Sequence, residues 1–366
     1  ILNCYEKFSI PAFTPAILNI ILILSVLFFS ESFSEPVYAL AWGLIFAGIV
    51  QLIFVLYPLI KMGLFPKINF NKNHPGIKKI KELMIPVIFG SSVTQVNLIF
   101  DTIIASFLIT GSISWLYMSD RFIELPLALF GISIATVLLP KLSEYYNKKD
   151  NKSYNAIINW GLKLGILISI PTCIGLILLS EPILVTLLQY REFSANDVSM
   201  TSLSLIAFAF GLPGMIGAKI LITNYYSRKD TSYPVRAAVI AVITNFVMNI
   251  VFVIYLTSIK FEGVHVGLAL ATSASAYINF FLLFKNAIKT KILIIDKSII
   301  QILAKTILAS IIMTLFVLYF DLNANSWVNL ELLDRVSKLL MIISLAAIVY
   351  FILLYALKIS PKKIKI

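Results

Sequence analysis

Apolar runs long enough to cross a bilayer recur from end to end of this chain, at roughly 11–29, 37–60, 82–109, 113–140, 156–179, 198–225, 237–256, 266–284, 298–320 and 336–357. A membrane-crossing helix needs about 20 mostly apolar residues. Inside lipid, every backbone N–H and C=O must find its partner within the protein, which leaves only helices and closed barrels. Runs of this length, without period-2 alternation, exclude the barrel. The expected fold class is therefore all-α, a polytopic transmembrane helix bundle of about ten spans. With 59% hydrophobic and 13% charged residues, the 366-residue chain is far more apolar than a soluble core of its size requires.

The loops alternate in charge. Residues 30–36, SESFSEP, are acidic and carry no Lys or Arg, whereas 61–81 are strongly basic. The loops near 141–155, 224–236 and 285–297 and the tail at 358–366 are basic as well. Both ends are thus expected in the cytoplasm, by the positive-inside rule. The formal net charge of +12 is accounted for by this pattern, and no nucleic-acid partner is expected. The two cysteines, Cys4 and Cys173, are too far apart to read as a disulfide framework. His74 and His265 sit in loops and form no metal cluster or catalytic set. No GxxxxGK[ST] phosphate loop occurs. The chain reads as a transporter and not an enzyme. It opens on Ile1, and residues 3–7 resemble a loop between helices, so the expectation is the C-terminal part of a longer protein.

Interior Pro, Gly, Asn and charged residues fill the first eight spans, whereas the last two are more uniformly apolar. Broken or polar helices at membrane depth are tolerated where they line a cavity. The turn at Gly111 provides a depth ruler. Asp101 precedes it by ten residues and Arg121 follows it by ten. At 1.5 Å per residue, both lie roughly 15 Å below the outer surface, near the middle of a ~30 Å core. A charge at that depth costs about 2.5–3.5 kcal/mol even on the lenient insertion scale, so such groups face protein or water.

Arg121 is the candidate anion contact, because a guanidinium grips phosphate bidentately. Its competing reading is an ion pair with Asp120 or Glu124 along its own helix, or with Asp101 across the turn. Trp115 and Tyr117 read as interfacial anchors. The turn near Lys260 brings Asn245, Asn249 and Thr272 to the same mid-depth. With Asp101 they offer a carboxylate, two amide carbonyls and a hydroxyl, a hard-oxygen set suited to Na⁺. Hydrogen bonding between neighbouring helices is the alternative use for Asn245 and Thr272.

The segment 111–143, GSISWLYMSDRFIELPLALFGISIATVLLPKLS, closely resembles the MurJ (MviN) family of lipid II flippases, within the multidrug/oligosaccharidyl-lipid/polysaccharide exporter superfamily. FSIPAFTPAILN at 8–19, NYYSRKDTSYP at 224–234 and GLALATSAS at 267–275 support it. The resemblance implies helices five to fourteen of a fourteen-helix fold, with the first four missing. It divides the chain into 1–62, ending a first lobe; a basic cytoplasmic loop at 63–81; a six-helix lobe at 82–288; and two further helices at 289–366 that form a lipid-tail groove. It implies a substrate site at Arg121 and Ser114, to which Asp120 and Glu124 are added as candidates because they lie beside Arg121 on the same helix. It also implies a sodium site at Asp101, Asn245, Asn249 and Thr272, where Asn249 replaces an aspartate found in some members. No other cofactor is expected.

The function it implies is movement of lipid II, an undecaprenyl-pyrophosphate-linked disaccharide peptide, across the bacterial cytoplasmic (inner) membrane. Membrane lipids and the cell-wall synthesis machinery are the further partners it suggests. The alternatives are another exporter of the superfamily, for a polyprenyl-linked glycan or a drug, and a non-transporting cell-wall scaffold.

Overall fold

A computed structural model describes residues 2–5, 7, 9–64, 77, 80, 84 and 95–359, and every regular element among them is helical. Nine helices among the described residues are long and apolar enough to cross a membrane. Residues 82, 83 and 85–94 of the expected span at 82–109 lie outside the described residues; its described helical part, 95–106, is α3. The basic loop expected at 63–81 lies outside them as well, except for residues 63, 64, 77 and 80. The chain divides into two compact units, Ile1–Glu82 and Leu83–Ile366.

In the first unit, α1 (Ser9–Phe29) and α2 (Val37–Lys61) form an antiparallel hairpin. Ala39, Gly43 and Ala47, one turn apart, are the buried small residues that let the two backbones approach. Ser25 donates to the Ala39 carbonyl at 2.5 Å, and a Cβ on Gly43 would come within 2.7 Å of the Ser25 hydroxyl.

In the second unit, α4 (Ser112–Pro126), a π-helical turn (Leu127–Ile132) and α5 (Ser133–Asn147) make one long span. Pro126 has no N–H to donate and its ring crowds the preceding turn, and the wider π turn begins directly after it. There follow α6 (Asn151–Leu178), α7 (Ser180–Leu187), α8 (Ala195–Tyr226), α9 (Ser232–Ser258), α10 (Val266–Lys289), α11 (Ser298–Val317), α12 (Ala324–Val328) and α13 (Leu332–Ala356).

The most buried span is α8, which packs against α4, α6 and α10. Gly211 and Gly214 allow its close approach to α10: a Cβ at Gly211 would lie 2.8 Å from the Ser273 Cα. Pro213 lies inside α8 without an N–H to donate, and side chains of α10 donate to carbonyls of the preceding turns. Ser273 donates to the Ala207 carbonyl at 2.6 Å and Tyr277 to the Phe210 carbonyl at 2.9 Å.

Five helices end on a lysine in the left-handed conformation: Lys149, Lys229, Lys260, Lys291 and Lys358. In each case the next residue's N–H bonds back five residues, as Asp150 does to Tyr145 and Ile292 to Ala287, which closes the helix end. The last two spans are tied to the rest by polar side chains reaching carbonyls. Tyr350 donates to Leu167 at 2.7 Å, and Arg335 donates to Val185 and Val328. Lys305 donates to the Leu357 carbonyl at 2.7 Å, just past the end of α13.

Candidate functional site

The site is built around the turn between α3 and α4. Gly111 has φ +102°, and a Cβ there would strike the Trp115 ring at 2.5 Å, so the turn and the indole require a glycine together. Trp115 is buried; its Nε1–H donates to Asp197 Oδ1 at 2.7 Å, and its ring lies 4.9 Å from that of His265. Asp197 is held in turn by the Ser194 capping box that starts α8. Trp115 is therefore a pin between helix ends and not an interfacial anchor. His265, also fully buried, bonds the Met200 carbonyl at 3.0 Å.

Four residues of α4 share one exposed face: Ser114, Tyr117, Arg121 and Glu124, at spacings of three and four. Arg121 Nη1 donates to Glu124 Oε2 at 2.7 Å and Nη2 donates to the Tyr117 hydroxyl at 3.0 Å. The guanidinium carbon lies 4.7 Å from the Tyr117 ring centroid. The Arg121 and Glu124 side chains are 55% and 54% exposed among the described residues, so the pair faces open space and not packed protein. Of the pairings open to Arg121, the one with Glu124 forms; those with Asp101 and Asp120 do not. Asp120 is half-buried, beside the exposed face.

The other four candidates come together as one chain of hydrogen bonds across three helices. Asn249 Nδ2 donates to Asp101 Oδ1 at 2.6 Å and to Asn245 Oδ1 at 2.9 Å. Asn245 Nδ2 donates to Thr272 Oγ1 at 3.2 Å. Asn97, one turn before Asp101, donates to its other carboxylate oxygen at 3.1 Å. Asn245 and Asn249 lie on the buried stripe of α9 that continues through Ala237 and Ala241. The Phe100–Phe246 contact, with centroids 5.0 Å apart, seals α3 against α9 next to it. One atom in the cluster is left over: Asn249 Oδ1 is buried without a hydrogen-bond partner among the described residues. A buried amide oxygen without a donor is costly.

A groove of ≈ 1080 Å³ runs between α6, α11 and α13, lined by residues such as Leu164, Ile168, Met313, Val317, Ala346 and Tyr350. At Trp160 it adjoins a more polar pocket of ≈ 570 Å³, where Lys163 pairs with Asp296 at 2.6 Å. The Lys163 contact and the Ser298 N–H and hydroxyl hold the Asp296 carboxyl well below the usual carboxylate range.

One residue escapes the sequence reading: Asn97, although it lies four residues before Asp101 on the same face. Tyr117, expected as an interfacial anchor, is instead held against Arg121 four residues on.

A family model described as "Lipid II flippase MurJ" matches residues 1–355. A probable lipid II flippase MurJ of Vibrio cholerae serotype O1 is 38% identical over 365 residues, spanning 100% of this chain and 68% of the relative. One from Haemophilus influenzae is 39% identical over 356 residues, 96% of this chain and 68% of that one. The lipid II flippase MurJ of Burkholderia cenocepacia is 33% identical over 363 residues, 98% of this chain and 69% of its own. A solved structure titled "Lipid II flippase MurJ, inward closed conformation" superposes with TM-score 0.77 at 29% identity, covering 96% of this chain and 68% of that one.

Proposed function

Because this chain belongs to the lipid II flippase MurJ family, we propose that it carries lipid II from the cytoplasmic to the outer leaflet of the bacterial inner membrane, in which it is a multi-pass protein. The observation that carries the role of the site is Arg121, a guanidinium more than half exposed on one face of a span long and apolar enough to cross the membrane. A charge inside such a span faces protein or water, and beyond its pair with Glu124 this one faces open space. The anionic part of the substrate is its pyrophosphate, and a guanidinium matches phosphate oxygens two at a time. Ser114 lies two turns outward on the same face and offers a hydroxyl to the sugar-peptide head; Asp120 and Glu124 border it. The polyprenyl tail would lie in the groove between α6, α11 and α13, whose wall is almost entirely apolar. The head group crosses by alternating exposure of the polar cavity to the two sides. This is transport without bond chemistry. A cell that makes lipid II also supplies partners in its cell-wall machinery.

The test is Arg121→Ala in the whole protein. It is expected to abolish rescue of a strain depleted of its own flippase, with the variant present in the membrane at normal level. Normal growth would remove Arg121 from the mechanism.

We extend the proposal to a hard cation at Asp101, Asn245, Asn249 and Thr272. The donor set fits, being all oxygen with one formal negative charge. Asn249 Oδ1, buried and unpartnered, is the atom a cation would satisfy. Sodium, when bound, supplies a positive charge that links α3 to α9 and α10. Thermal stability of wild type is expected to rise with Na⁺ but not with an equal concentration of choline, and Asp101→Ala is expected to lose that response. Equal responses in the two proteins, or none in either, would count against the site.

A further inference from the structure

Arg121 is gripped at both ends before any substrate arrives, and its two partners differ in a way that bears on anion binding. Glu124 is a carboxylate, which competes with a phosphate for the same N–H group and repels it. Tyr117 is neutral; its hydroxyl oxygen accepts from Nη2 at 3.0 Å while its ring lies 4.7 Å from the guanidinium carbon. A guanidinium has five N–H groups. The contacts along α4 use two of them, which leaves three for a ligand.

We infer that Tyr117 is a positioning residue for substrate binding, holding the Arg121 guanidinium in place on the exposed face of α4 while an anionic pyrophosphate head displaces Glu124 from it. The inference rests on the reading that Arg121 receives the pyrophosphate. An exposed arginine otherwise samples many rotamers, and ordering it on binding weakens affinity. The ring removes that cost through a face the anion does not need. The spacing makes the arrangement specific: 117, 121 and 124 lie on one face, so the guanidinium lies along the helix between them. Tyr117 is itself about half exposed, at 54%, so its removal leaves no core cavity.

The experiment measures binding of undecaprenyl pyrophosphate to the whole protein in lipid nanodiscs, with uncharged undecaprenol as the control probe. Tyr117→Phe keeps the ring and loses the acceptor; it is expected to weaken pyrophosphate binding about 3-fold, and Tyr117→Ala about 10-fold. Neither change should alter undecaprenol binding. In an Arg121→Ala background, Tyr117→Ala should add less than about 2-fold, because the group it positions is gone. If Arg121→Ala weakens binding and Tyr117→Ala is silent, or if the two losses simply add, the positioning role is overturned and the Arg121 reading stands. If Arg121→Ala itself leaves pyrophosphate affinity unchanged, the underlying reading fails first.

Discussion

Asp101 and Arg121 stand ten residues either side of one turn, yet the protein holds them in opposite ways. Asp101 is tied to other helices: Asn249 of α9 donates to it, and the chain continues through Asn245 to Thr272 of α10. Among the described residues, Arg121 is tied only to its own helix, by Tyr117 and Glu124. The first arrangement sets how three helices fit together. The second ties that face of α4 by hydrogen bonds to no other described helix and leaves the guanidinium exposed. A fixed polar cluster suits a small ion that must be surrounded; an intrahelical grip suits a large head group that has to enter and leave. The two charges flanking the turn thus divide into one that joins helices and one held along its own helix, which is the arrangement the proposed substrate role of Arg121 needs.

The sharpest way to break this contrast is at Asn249. It donates to both Asp101 and Asn245 from a fully buried position. Replacing it with Leu leaves two acceptors short of a donor, and the expected loss is about 1–2 kcal/mol, the upper end of what single polar contacts contribute inside membranes. Thermal unfolding of the detergent-solubilised protein checks this. A loss of under about 0.5 kcal/mol would mean that Asp101 does not depend on α9 and that the contrast with Arg121 is false.

Much of this could be read from residue order, because it depends on spacing along single helices. The ten-residue ruler about Gly111 and the one-turn separation of Asn245 and Asn249 brought the four oxygen-bearing side chains to one level, and they do meet. The span limits at 37–60 and 266–284 lie close to Val37–Lys61 and Val266–Lys289 for the same reason: loss of hydropathy and gain of lysine mark helix ends. What escaped depends on partners distant in sequence or on side-chain rotamers. Trp115 has the composition of an interfacial anchor; its burial follows from Asp197 and His265, 82 and 150 residues further on, whose helix ends converge on it. The choice of Arg121 among Asp101, Asp120 and Glu124 was open because all lie within reach by level. Helix rotation decides it: Glu124 shares the exposed face, whereas Asp120 is turned about 100° away from Arg121.

The smallest expected effect lies at Glu124. Its ion pair with Arg121 is formed at 2.7 Å, but both side chains are more than half exposed. Exposed pairs at this spacing contribute about 0–1 kcal/mol, because water and mobile ions screen them and two long side chains must be ordered. Glu124→Gln keeps the size and an acceptor oxygen, so thermal stability should shift by less than about 0.5 kcal/mol at moderate ionic strength. Paired with Asn249→Leu in the same assay, it turns the contrast into a ratio. A Glu124→Gln loss as large as that of Asn249→Leu would make the α4 grip a structural element like the α3–α9–α10 cluster. A near-silent change would leave it as Arg121's resting partner, weak enough for a pyrophosphate to displace.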